Sequence, residues 1–385
     1  MMKHNVLFVT QTNFDPHKGG VERVTDTIAK YLLNKGYGVH YMFLQPTEAS
    51  YSSLISICKL PSVDLTAQAT IKYYCDYIKE HNIDIVVNQY ALYVNNDFLY
   101  TAKDIKIISV IHSNPFCTYD HMYYKLTRPT GSGLKNILRT SMRGLFAFEV
   151  KYRVKRSLDV HFQQLAGTSA KICFLSETYK ERIHKEYSMP QSMLCSIPNP
   201  NSFPKIPRLL KKKKDVIFVG RLHNESKNII SLLRIWKKVS PRSPEWKLTI
   251  VGDGKDRKMV EEYASSLSNV IFVGFQEPQP FYERASIFCL TSVFEGFPMC
   301  ITEAMQWGCV PIAFNSFGAL TDMIRDGEDG VIVKAFSEND FAKRLSQLMN
   351  DDVLRAELAD NARKNIKRYD EDIILPMWER LFDSL

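Results

Sequence analysis

Short apolar runs alternate with helix-patterned stretches along nearly the whole chain, and this alternation limits the fold to parallel α/β sheets. In the first half the runs predict strands at Asn5–Thr10, Val39–Leu44, Ile83–Asn88, Ile105–His112, Lys171–Leu175 and Met193–Ile197. The second half offers Val216–Val219, Lys247–Val251, Val270–Val273, Ile287–Leu290, Val310–Ala313 and Gly330–Val333. Between the halves, Pro198-Asn-Pro-Asn-Ser-Phe-Pro-Lys-Ile-Pro207 places four prolines in ten residues, just before Lys211–Lys214. Proline has no amide donor and a fixed φ, so the segment reads as a linker between two sheets. At 385 residues the chain also exceeds what one core comfortably supports. The expected organisation is a first domain at 1–198, a linker at 199–214, a second domain at 215–368 and a tail at 369–385. The tail reads as a helix with Ile374, Trp378, Leu381 and Phe382 in one apolar stripe.

The segment Glu295-Gly-Phe-Pro-Met-Cys-Ile-Thr-Glu303 carries the most chemical information. If Ile287–Thr291 is a buried strand and a helix opens at Thr302, Glu295 sits on the connecting loop and Glu303 in the first helical turn. Both would project at the carboxyl end of the sheet, where open α/β sheets bind ligands. The amides of Met299 and Cys300 would point the same way, toward an anionic guest. Carboxylates at one end and phosphate-seeking amides at the other suit a sugar joined to a diphosphate. The competing reading makes Glu303 a complement to the helix dipole and Glu295 a surface acid.

Phe218-Val-Gly220-Arg221 ends another apolar strand, and Lys227 follows six residues later. On a strand-to-helix loop, that Arg and Lys form a cationic clamp: a guanidinium fork and an ammonium point charge for phosphate oxygens. Val251-Gly-Asp-Gly254 and Val273-Gly-Phe275 close further strands with glycine. Near the N-terminus, Val6-Leu-Phe-Val9 leads through a polar loop to Gly19-Gly20, then to Val21, Val24, Ile28 and Leu32 at helical spacing. Together these segments resemble the GT-B-type glycosyltransferases of retaining family 4 (glycosyl transferases group 1), over nearly the whole chain and most strongly over 215–335.

The resemblance implies two Rossmann-like domains facing each other across a cleft, with the last helix crossing back to the N-terminal domain. It implies a nucleotide-sugar donor held by Gly19, Gly20, Phe275, Phe297, Met299, Cys300 and Glu303, with catalysis resting on Glu295, Arg221, Lys227 and His112. Glu303 would take the ribose hydroxyls, Glu295 the hydroxyls of the transferred sugar, and backbone near Phe275 the base. His112, at the end of its strand, would contact the donor sugar; as a residue alone it reads equally well as structural. Asp15 and His17 would face the acceptor. Members retain anomeric configuration, and Glu-Gly-Phe-Pro loops favour UDP over GDP. Cys300 would act through its amide, not as a nucleophile. With two side-chain cations at the diphosphate and no Asp-x-Asp motif, neither a cofactor nor a metal is expected. The insert His-Asn-Glu-Ser between Arg221 and Lys227 departs from the commoner pattern and sets Glu225 beside the clamp.

Eight cysteines without a CxxC pair indicate reduced thiols and a cytoplasmic chain. The N-terminus lacks the apolar core of a signal peptide, and no run approaches the roughly 18 residues of a membrane span. The net charge of +8 lies almost wholly in 121–160, where nine basic residues face two acidic ones. Lys135, Arg139 and Arg143 repeat at i, i+4 opposite Leu134, Ile137, Leu138, Leu145 and Phe148. Such a helix suits an anionic membrane surface or an acidic acceptor, or is a solvated helix packed by its apolar side. Nucleic acid is not expected, for want of a recognisable module.

Three functions compete. The first is a retaining transferase moving a hexose or N-acetylhexosamine to a glycan or lipid-linked acceptor in bacterial surface polysaccharide biosynthesis, in the cytoplasm or peripheral at the membrane. The second is a nucleotide-sugar epimerase, against which the Arg…Lys and Glu…Glu pairing speaks. The third is a catalytically silent binding subunit, which has no need to keep all four residues.

Overall fold

The structure, a computed structural model, describes residues 4–12, 19–45, 55–91, 97–117, 134–203 and 211–385, with backbone alone for 134–148. Asp15, His17, Lys125, Arg128 and linker residues 204–210 lie outside the described residues, as do the side chains of Lys135, Arg139 and Arg143. Contacts group the chain into two units. One holds Met1–Pro115, Arg153–Pro200 and Glu371–Leu385; the other holds Phe116–Tyr152 and Asn201–Asp370. This division differs from the expected boundaries at 116–152.

The first unit contains a seven-stranded parallel sheet in the order β3-β2-β1-β4-β5-β6-β7. Its strands are β1 (Asn5–Thr12), β2 (Gly38–Gln45), β3 (Ser56–Lys59), β4 (Ile85–Asn88), β5 (Lys106–Ile111), β6 (Lys171–Phe174) and β7 (Leu194–Ser196). Helices α1 (Gly20–Asn34), α2 (Gln68–Glu80) and α4 (Glu177–Tyr187) belong to this unit, as does the part of α3 (Leu134–Thr168) from Arg153 on. Edge strand β3 was not foreseen: in Ser-Ile-Cys-Lys only Cys58 is buried, so there is no apolar run to detect. Leu7, Val9, Met42, Val86 and Ile107 pack against Tyr74 and Ile78 of α2 to form one core.

The second sheet, β10-β9-β8-β11-β12-β13, is also all parallel. Its strands are β8 (Asp215–Val219), β9 (Lys247–Val251), β10 (Val270–Gly274), β11 (Ile287–Leu290), β12 (Val310–Phe314) and β13 (Val331–Val333). The helices are α5 (Asn224–Lys227), α6 (Ile229–Val239), α7 (Arg257–Ala264), α8 (Gln279–Arg284), α9 (Met299–Gln306), α10 (Leu320–Met323), α11 (Glu338–Asn350) and α12 (Asp352–Asn365). Strands β8, β11 and β12 are almost continuously buried, as expected of strands covered on both faces. Val216, Phe218, Ile250, Ile287 and Ile312 pack with Leu232 and Trp236 of α6 and Phe341 of α11.

The two ends of the Asn201–Asp370 segment are tied together. Asn201 donates its amide to the Tyr369 carbonyl (2.7 Å) and its side chain to Ile366 O (3.0 Å) and Asp370 Oδ1 (2.8 Å). The last helix, α13 (Glu371–Asp383), belongs to the first unit. It buries Ile374, Leu375, Trp378, Leu381 and Phe382, and accepts hydrogen bonds from Tyr31 (to Glu379, 3.0 Å) and Tyr37 (to Asp383, 3.2 Å). In each sheet the strand order reverses once, at β1/β4 and at β8/β11. These are the positions where open α/β sheets leave a crevice beyond the carboxyl ends of their strands.

Candidate active site

The β8/β11 reversal assembles most of the predicted site. After β8, the chain runs through Gly220 and Arg221 into the short helix α5, so the insert His-Asn-Glu-Ser is a helical turn rather than an open loop. Asn228, in the left-handed region at φ 52°, ends α5 and starts α6. Two ties bind this turn to the loop after β11. Thr291 Oγ1 donates to the carbonyls of Lys227 (3.1 Å) and Asn228 (3.2 Å), and the Val293 amide donates to Ser226 O (2.7 Å). They place Lys227 Nζ 2.5 Å from Glu295 Oε1.

Glu295 also accepts from Ser292 Oγ at 2.6 Å. The side chains of Lys227 and Glu295 are 20% and 13% exposed, so the pair is poorly screened by solvent. Burial, the largest single effect on Lys227, favours its neutral form; the Glu295 charge and hydrogen bond, together with Cys300, outweigh it and hold the ammonium above the ordinary lysine range. Arg221 is exposed, and among the described residues its guanidinium has no acidic partner. Lys227 and Glu295 are therefore one ion pair, and Arg221 stands outside it.

Glycines let the neighbouring loops stack. A Cβ on Gly252 (φ 137°) would lie 2.0 Å from the Gly220 carbonyl oxygen, and one on Gly254 would lie 2.5 Å from the Leu222 oxygen. Hydrogen bonds from Gly220 to Val251 (3.0 Å), Leu222 to Asp253 (2.8 Å) and Gly252 to Gly274 (2.8 Å) join the ends of β8, β9 and β10. Phe275 follows at the outer rim, 72% exposed.

On the other side, α9 begins at Met299 rather than Thr302, because Pro298 takes the N-cap position. Glu303 is thus in the second turn, not the first. Met299 and Cys300 are the first two helical residues, and Pro298 offers no side-chain acceptor to cap the amides there. Glu303 is 5% exposed and accepts from the hydroxyl of fully buried Tyr282 at 3.1 Å. Sequence reasoning missed Tyr282, whose apolar setting disguised it as core. Burial raises the Cys300 thiol well above its ordinary value, leaving it unreactive. The Phe297 ring is buried edge-on against Tyr369 (5.4 Å), so it packs the turn instead of facing a ligand.

In the first unit, Gly19 caps α1 and Gly20 is its first residue. His112 follows β5; its Nε2 lies 2.5 Å from Gln89 Oε1, and burial lowers its pKa to about 4. These residues and the Arg221 site belong to different units.

Known proteins share this architecture. Residues 201–365 match the family model described as glycosyl transferases group 1. An uncharacterized glycosyltransferase of Haemophilus influenzae is 24% identical over 94% of this chain and 95% of its own length. The amylovoran biosynthesis glycosyltransferase AmsD of Erwinia amylovora is 27% identical over 68% of this chain and 80% of its own. Among solved structures, Anabaena HepE in complex with UDP superposes with a TM-score of 0.71 at 17% identity, covering 99% of this chain and 100% of that one. The chain thus has the GT-B fold, and its residues 201–365 match the glycosyl transferases group 1 model.

Proposed function

We propose that the protein is a retaining, metal-independent glycosyltransferase that moves a hexose or N-acetylhexosamine from a UDP-sugar to a glycan or lipid-linked saccharide in bacterial surface polysaccharide biosynthesis. The observation that carries this reading is the exposed Arg221, without an acidic partner among the described residues, and the Lys227–Glu295 pair, at the reversal point of the second sheet. The amylovoran role of the Erwinia relative and the UDP bound to HepE support the polysaccharide and uridine parts of it.

In the reaction, the bond between the anomeric carbon and the phosphate oxygen breaks, and the diphosphate keeps the electron pair. Arg221, Lys227 and the first amides of α9 aim positive charge at that developing anion, typically the largest catalytic contribution. The acceptor oxygen attacks from the face the phosphate leaves, and its proton passes to a phosphate oxygen. Glu295 holds sugar hydroxyls and steadies the positive ring, Glu303 takes the ribose, and His112 contacts the sugar. Two fixed side-chain cations supply the role a divalent metal would otherwise fill.

The acceptor is proposed to be presented at an anionic membrane. Helix α3 runs 35 residues, roughly 52 Å at 1.5 Å per residue, and carries exposed Lys151, Arg153, Lys155 and Arg156 beside Tyr152 at 64% exposure. Among the described residues no helix is long and apolar enough to cross a membrane. Thermal shift against UDP, GDP and a panel of their sugars tests the donor reading. A ligand at 100 times its dissociation constant stabilises by roughly 2.7 kcal/mol. Stabilisation by uridine ligands supports it, and stabilisation by guanosine ligands alone would overturn the uridine assignment.

A further inference from the structure

Strands β6 and β7 set two cysteines side by side. Their parallel pairing puts Cys173 opposite Cys195, between the partners Ile172–Leu194 and Phe174–Ser196. Lateral partners in a parallel pair project from the same face of the sheet, so the two thiols share one face. They lie within hydrogen-bonding reach of each other. Each thiol also meets a backbone carbonyl: Cys173 Sγ is 3.8 Å from Phe174 O, and Cys195 Sγ is 3.7 Å from Ile172 O. Cys173 is fully buried, whereas Cys195, on the edge strand, is partly exposed. Among the described residues no other two cysteines are register partners in neighbouring strands.

We propose that Cys173 and Cys195 are a redox-active dithiol, a site where a low-molecular-weight disulfide is reduced while the two strands become joined by a disulfide. This chemistry is separate from the glycosyl transfer proposed above and does not depend on it.

The spacing suits the product. Neighbouring strands run about 4.8 Å apart, inside the range of roughly 4.4–6.8 Å that the Cα atoms of bridged cysteines span. A bridge also brings its Cβ atoms to about 3.8 Å, so β7 must close in by about an ångström. A three-residue strand at the sheet edge, paired on one side only, can yield that far. Exposure sets the order of events. The Cys195 thiolate attacks one sulfur of the small disulfide; a new S–S bond forms, the old one breaks, and the displaced thiolate takes a proton from solvent. Cys173 then attacks Cys195 Sγ and expels the second small thiol. Two protein thiols lose two electrons and two protons, and one small disulfide becomes two thiols. Before the first step, Cys195 and burial hold the Cys173 thiol well above its ordinary range, while the Ile197 amide pulls the other way. Once Cys195 is capped its share of that shift is gone, and the amide remains to steady a Cys173 thiolate. The buried thiol is therefore quiet until its neighbour has reacted. The finished bridge closes a loop around α4, which restricts the unfolded chain.

Mass spectrometry tests the pair directly. Folded wild-type protein is incubated with oxidised glutathione at pH 8, quenched with an alkylating agent, digested and analysed. Peptides joined through Cys173 and Cys195 should appear and be separated again by dithiothreitol. The linked protein should melt about 5 °C higher than the reduced one. Cys173→Ala should stop at a glutathione adduct on Cys195, because the resolving thiol is gone. Cys195→Ser should form neither link nor adduct and should leave Cys173 unmodified. Phenylarsine oxide, which is held firmly only by two thiols together, examines the unaltered chain. It should protect Cys195 from alkylation in wild type, resisting excess 2-mercaptoethanol but yielding to dithiothreitol. Absence of both the link and the arsenical protection in wild type would overturn the proposal. So would an adduct on Cys173 in Cys195→Ser, or a link that forms only in urea, since that would belong to the unfolded chain.

Discussion

Replacing Glu295 by glutamine should separate the two duties the Lys227–Glu295 pair combines. In the unliganded protein the carboxylate holds Lys227 Nζ at 2.5 Å, so an incoming diphosphate must compete for that ammonium. Opposite unit charges at about 4 Å interact by roughly 4 kcal/mol at an effective dielectric of 20, a gross figure offset by desolvation. If about a quarter is recovered when the competitor is removed, UDP should bind Glu295→Gln on the order of fivefold more tightly at pH 7. UDP-glucose should not share the gain, because the same substitution weakens the grip on sugar hydroxyls. Turnover should fall by about 10²-fold or more.

The pH dependence carries a second signature. In wild type the charge and hydrogen bond of Glu295, together with Cys300, override burial and keep the Lys227 pKa raised. A group whose folded pKa is raised contributes stability in full below its unfolded pKa, losing it only as pH climbs through the folded value. The Lys227 contribution is therefore constant through neutral pH and lost only above the ordinary lysine range. In the variant, burial meets far less opposition and the pKa falls, so UDP affinity should acquire an alkaline decline absent from wild type. Calorimetric titration of UDP and UDP-glucose from pH 6 to pH 10 reads both effects. Weaker UDP binding by the variant at pH 7 would refute the competition argument.

Three further outcomes follow from the site. Arg221→Ala and Lys227→Ala should each lower turnover by about 10²–10³ without unfolding the protein, as removed charge-stabilising donors do elsewhere; steady-state rates and melting curves check this. Glu303→Ala should weaken UDP itself, and Tyr282→Phe, losing the 3.1 Å bond that steadies Glu303, should raise the UDP dissociation constant about fivefold, near 1 kcal/mol, in the same titrations. Replacing Lys135, Arg139 and Arg143 by glutamine should reduce sedimentation with anionic vesicles by about 1 kcal/mol per surface charge, with salt sensitivity to match; equal binding to neutral and anionic vesicles would remove the membrane proposal.

The strands were largely legible because parallel strands covered on both faces are continuous apolar runs; Lys247–Val251 and Ile287–Leu290 coincide with the observed limits. Strand β3 had no such run. The start of α9 was misjudged because Gly-Phe-Pro reads as a turn, although proline at the cap position starts the helix immediately after it. The charged residues of the site could be named from spacing, yet spacing says nothing of their pairing. That Lys227 binds Glu295, 68 residues away, depends on the Thr291 and Val293 ties between two loops. Tyr282 was invisible for a related reason: its buried side chain has a polar tip that matters only through a partner distant in sequence.

The central claim is tested most directly by the stereochemistry of transfer without metal. Protein treated with excess EDTA is incubated with UDP-glucose, or the UDP-sugar that stabilises it best in the thermal panel, and with a saccharide acceptor. Proton NMR then reads the anomeric configuration of the first product formed. An α-linked donor should yield an α-linked product, with UDP released at the same rate as in untreated protein. A β-linked product, or transfer that returns only when Mg²⁺ or Mn²⁺ is added, would contradict the account.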